Sequence, residues 1–109
     1  MAFKSVVTGN IGTSPTQVSD TVSSSTTHTI IGFSLSNIHA NNIAVTATLT
    51  KSGGATVNMI KSATVASGGA IVIVGGDQKV VLEQGDTISV SSDTATSTDS
   101  VMSYLSSST

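Results

Sequence analysis

From Ile43 to Thr50 the chain reads Ile-Ala-Val-Thr-Ala-Thr-Leu-Thr, with apolar side chains at every second position and small or hydroxyl side chains between them. A period of two places Ile43, Val45, Ala47 and Leu49 on one face of a strand and the hydroxyls on the other. The same rhythm runs through Thr27–Ser36, where Ile31, Phe33 and Leu35 are expected to share a face and Ile30 to point the other way. Further strands are expected over Phe3–Thr8, Gln17–Val22, Ala55–Lys61, Ala63–Ala66, Ala70–Val74, Gln78–Glu83, Thr87–Ser92 and Ser100–Leu105. Gly9-Asn10, Asn37–Asn42, Lys51-Ser52-Gly53-Gly54, Ser67-Gly68-Gly69, Gly75-Gly76-Asp77, Gln84-Gly85-Asp86 and Asp93–Ser97 punctuate them as turns, since Gly, Asn and Asp tolerate left-handed backbone or bond to their own chain. Ala70–Val74 is apolar at every position, the pattern of a central strand buried on both faces.

No stretch longer than a few residues carries apolar residues at spacings of three and four, and Thr, Val and Ile outweigh the helix formers. The expectation is therefore all-β: one antiparallel β-sandwich or jelly roll of about seven to nine short strands, because turn signals recur about every ten residues. At 109 residues the chain makes one domain, residues 1–109. Ser106–Thr109 is expected to be a mobile polar tail.

Composition narrows the function. Ser and Thr supply about a third of the residues, charged residues 9% and aromatic residues 3%. Four Lys and no Arg cannot neutralise a run of phosphates, so no nucleic-acid partner is expected, nor an anionic membrane surface. The longest apolar run is too short to span a bilayer, and the first residues carry no secretory pattern; synthesis in the cytoplasm is expected. Without Cys there is no disulfide to reinforce a modest core, and homo-oligomerisation or docking is the expected compensation.

Candidate chemistry is sparse. His28, His39 and the many Ser and Asp residues do not fall into a nucleophile elbow, and no phosphate-cradling Gly motif occurs, so no catalytic residue and no cofactor are assigned. Four of the six acidic residues lie at turns. Asp77, Asp86 and Asp93 would need to converge at one end of a sandwich to hold a cation, and no calcium-loop motif supports a metal site. Tyr104 is either core or an interface anchor.

Two stretches resemble a known group. One is Gly75-Gly76-Asp77-Gln78-Lys79-Val80-Val81-Leu82-Glu83-Gln84-Gly85-Asp86-Thr87-Ile88-Ser89-Val90; the other is Thr29–Asn37 followed by the Ile43–Leu49 alternation. Together they resemble small β-sandwich virion proteins of tailed bacteriophages, marine and cyanobacterial phages in particular. The resemblance implies a virion structural protein without enzymatic activity, most simply a capsid decoration or cement protein. Its implied partners are the major capsid protein or other virion proteins and further copies of itself. A neck, tail or fibre-associated module that contacts the host surface is the alternative. A small hydrolase or a cellular adhesin module are readings from other classes that no motif favours. Unpaired strand edges are natural docking templates. The first strand and the last are therefore the candidate contact elements, with Phe3, Val6, Met102, Tyr104 and Leu105 as candidate interface residues, unless both strands simply complete the sandwich.

Overall fold

The computed structural model describes residues 1–108. Among these described residues nine strands form in chain order: β1 (Ala2–Ile11), β2 (Thr16–Gln17), β3 (Thr26–Asn37), β4 (Ile43–Thr50), β5 (Thr56–Val65), β6 (Ala70–Val74), β7 (Val80–Leu82), β8 (Thr87–Ser92) and β9 (Thr98–Ser108). Their ladders are all antiparallel. They build two sheets, one ordered β1-β9-β3-β6 with β7 also paired to β3, the other ordered β2-β8-β4-β5. The two sheets stack as a sandwich, and the chain passes between them repeatedly in the strand order of a jelly roll with one added short strand, β7. Twelve residues of β3 extend over about 40 Å, which accounts for a long axis of 43 Å.

Between the sheets lies one core. Ile30, Phe33, Leu35, Met102, Tyr104 and Val74 come from the larger sheet; Ile43, Val45, Ala47, Val65, Ile88 and Val90 come from the smaller. The strands β4 and β8 begin and end where the alternation predicts, with Ile43, Val45 and Ala47 buried and Leu49 half-buried.

Four expectations are corrected. In β3 the buried set is Ile30, Phe33 and Leu35, while Ile31 is only half-buried. A register shift between Ile30 and Gly32 against Tyr104 and Ser103 inserts one residue, and an inserted residue reverses the parity of everything before it. The two short strands expected over Ala55–Ala66 are one continuous β5, which passes through Ser62 in left-handed conformation (φ 51°) instead of turning there. β6 is not central: it lies at the edge of the larger sheet, and Val72 is 68% exposed. Ser106–Ser108 are no tail either. They pair with His28, Thr27 and Thr26 of β3, so their polar composition belongs to a strand; Thr109 lies outside the described residues.

Candidate functional site

Three places combine exposed or chemically distinctive groups: the outer face of the larger sheet, the turns around Asp86, and the contact between Tyr104 and Asp20.

The outer face follows from the registers. Val7 lies opposite Val101, Val101 opposite Ser34, and Ser34 opposite Val72, forming one row across four strands. Phe3, Leu105, Thr29 and Val81 form a parallel row through β1, β9, β3 and β7. Between them runs Ser5, Ser103 and Gly32. Because buried Met102 and Tyr104 alternate with these residues along β9, the rows point away from the core. Phe3 is 77% exposed, Val7 70% and Val72 68%, with Val81 and Val101 close to half exposed. No charged residue occupies the three rows. The surface is thus two apolar ridges flanking a shallow lane of small residues. Clustered exposed apolar side chains of this kind mark interaction sites, whereas singly scattered ones do not.

The candidate interface residues divide on this geometry. Phe3 and Leu105 are cross-strand neighbours on the outer face. Val6 is half-buried and packs on the core. Met102 and Tyr104 are core residues, at 0% and 3% exposure, so their side chains cannot reach a partner. The last strand is no sheet edge, because β9 lies between β1 and β3. Sequence reasoning missed Val72, Val81 and Val101, while Val7 falls in the first strand that it offers as a contact element. For Val72 the signal is the uninterrupted apolar character of Ala70–Val74, which fits one exposed apolar face as well as two buried ones.

Asp86 anchors the second place. Its carboxylate, 1% exposed at the side chain, accepts hydrogen bonds from the Ser52 N–H at 3.0 Å and the Glu83 N–H at 2.9 Å, and from Lys51 Nζ at 2.5 Å. Lys51 Nζ also donates to Glu83 at 3.0 Å. The turn before Asp86 can close on the β4–β5 hairpin only because residue 85 is Gly: its φ is 84°, and an added Cβ would come within 2.7 Å of Ser52 Cβ. Burial pushes the Asp86 carboxyl up, but its bonds to Lys51, Glu83 and Ser52 outweigh that and hold it below its ordinary value. Hydrogen bonds to Asp86 and Glu83 raise the Lys51 ammonium above its ordinary value, so it stays a cation and is no base. An open polar cavity of about 420 Å³ adjoins this cluster, lined also by the hydroxyls of Ser25, Thr26 and Thr27. Asp93 sits at the other end of β8, where its carboxylate accepts the Ala44 N–H, so Asp86 and Asp93 do not converge. Among the described residues no cluster of three metal-ligating side chains occurs.

At the third place the Tyr104 hydroxyl donates to the Asp20 carboxylate, and the ring stacks on His28 with centroids 4.4 Å apart. Burial, with the Asp20 carboxylate beside it, pushes the phenol up to about 12. Burial lowers the His28 imidazole; the Asp20 charge opposes this, and Lys4 adds to it. No hydrogen bond joins either histidine ring to a serine hydroxyl among the described residues.

These shifts set a pH profile. An unfolded Tyr titrates near 10, so between about pH 10 and about 12 the folded chain keeps a proton that the unfolded chain gives up. Stability should therefore fall as pH rises through that window. Tyr104→Phe is expected to cost about 1–2 kcal/mol at pH 7 through the lost bond to a carboxylate and to flatten this alkaline limb. Urea titrations at a series of pH values would show it; an unchanged limb in the variant would assign it elsewhere. His28 acts at the other end. Its lowered folded value means that stability present at neutral pH is lost as pH falls below about 6.5.

Compared with known protein families and with curated proteins, the chain matches none.

Proposed function

We propose that this protein is a structural component of a tailed-bacteriophage particle, most simply a decoration protein that docks on the outer capsid and acts as a homo-oligomer. The observation that carries the proposal is the uncharged outer face of the larger sheet, where Phe3, Val7, Val72, Val81 and Val101 stand exposed in two rows. A charge-poor face built on rigid strands suits contact with a repeating protein surface, since no charges have to be stripped of water on docking. Jelly rolls also occur in viral capsid domains, an analogy of fold and not of site. The Gly85-Asp86 turn that carries the resemblance to phage virion proteins has a structural duty here, joining two loops, and it asks for no chemistry.

Added to particles stripped of decoration, the chain is expected to bind and to raise their thermal disruption temperature. Val72→Lys should weaken that binding at least tenfold while leaving the fold intact, because Val72 is 68% exposed on the outer face. No binding at saturating concentration would overturn the decoration role. Antibody label confined to the neck or tail of intact particles would move the protein to an accessory position.

A further inference from the structure

We propose that two copies of this chain join through β1, pairing antiparallel about a twofold axis at Ser5, so that the two larger sheets become one continuous sheet. The inference deepens the homo-oligomeric part of the proposed function and rests on that reading.

The argument starts from the sheet edges. Exposed edges recruit other strands, and proteins blunt them with short strands, bulges, charges or Pro. The smaller sheet ends on β2, of two residues, and on β5, whose ladder to β4 is twice irregular. On its far side the larger sheet ends on β6 and β7, of five and three residues. β1 is the exception. It has ten residues, its pairing with β9 is regular from Ala2 to Thr8, and it holds no Pro and a single charge, Lys4. Among the described residues, the backbone of residues 2–9 makes no backbone hydrogen bond beyond that ladder. The outward-facing N–H and C=O groups of a seven-residue run are therefore open to a partner strand, with room for about six to eight bonds in an antiparallel pair.

The sequence of β1 selects a second copy as that partner. A twofold at Ser5 places Phe3 opposite Val7 of the second copy, Ser5 opposite its own equivalent, and Lys4 opposite Val6. Each aromatic residue then meets a β-branched one on the outer face, a favourable cross-strand pair, and it does so twice by symmetry. The apolar row Val81, Thr29, Leu105 and Phe3 runs on directly into Val7, Val101, Ser34 and Val72 of the second copy. Neighbouring registers lose this. A twofold at Lys4 sets the two ammonium groups face to face, which is destabilising. A twofold at Val6 leaves Phe3 opposite Gly9. The shared sheet presents the docking face twice, which strengthens attachment to a repeating surface.

The test uses the purified chain, so its result is separate from docking on a particle. The chain has no cysteine, and residues directly opposite in an antiparallel pair lie within disulfide reach. Sedimentation should give the mass of a dimer. Under mild oxidation Ser5→Cys should form a covalent dimer. Phe3→Cys and Val7→Cys should not do so singly but should as a mixture of the two variants. Ser5→Lys, which places two charges opposite each other, should weaken the dimer at least tenfold with an unchanged circular dichroism spectrum. A monomer at every concentration, or cross-linking of Phe3→Cys alone as readily as Ser5→Cys, would overturn the proposal.

Discussion

Asp86→Ala should lower the unfolding free energy by about 3 kcal/mol at pH 7, a drop of about 12–24 °C in melting temperature for a domain of this size. The carboxylate is buried at the point where the β7–β8 turn meets the β4–β5 hairpin, and it satisfies one backbone N–H from each. Removing it leaves both donors without their acceptor, and a lost bond to a charged group costs more than a neutral one. Asp86→Asn retains one acceptor oxygen and should cost roughly half as much. Lys51→Met should cost least, because the Lys51 side chain is 43% exposed and its ion pair is screened. If Lys51→Met proved as damaging as Asp86→Ala, the ion pair and not the backbone bonds would be the main contribution. Acid supplies a second check. Asp86 is held below its ordinary value, so its contribution is present above about pH 4 and is lost as pH falls through the folded value. The gap between the native chain and Asp86→Ala in urea titrations should narrow in that range and nowhere above it.

How far the sequence reveals the fold varies with the position of each strand. β4 and β8 are legible to the residue because they sit centrally in the smaller sheet, with one face on the core, where alternation is under the strictest demand. Ile31 is not, since an inserted residue in the ladder leaves no mark in hydropathy beyond the Gly that follows it. β6 misleads for a reason that bears on function. A strand at a sheet edge with apolar residues on both faces looks central only if the outer face is assumed to meet water, and here Val72 belongs to the exposed rows. The link between Lys51 and Asp86 joins turns 35 positions apart, and only the topology of the two sheets brings them together. Of the two terminal strands that carry the candidate interface residues, only the first is a sheet edge. β9 lies inside the larger sheet, between β1 and β3.

The chain has two phenylalanines, and their truncation should have opposite consequences. Phe33→Ala should cost about 3–5 kcal/mol, since the ring is 2% exposed between the sheets, opposite Met102 on β9 and Val74 on β6. A domain of 109 residues holds about 5–15 kcal/mol in all, so this one cavity removes a large share. Unbranched Met102 can move part of the way into the space, and the other neighbours give less help. The other aromatic of the core, Tyr104, is fixed by its bond to Asp20, and the β-branched neighbours have restricted rotamers. Phe3→Ala removes a ring of the same size at 77% exposure, and the stability of the isolated chain should change by no more than about 0.5 kcal/mol. What it should weaken is association, at β1 between copies and on the outer face. Urea titration of dilute protein measures the first effect; sedimentation and particle binding measure the second. A Phe3→Ala chain that unfolds as readily as Phe33→Ala would return Phe3 to the fold and leave the outer face without its largest apolar contact.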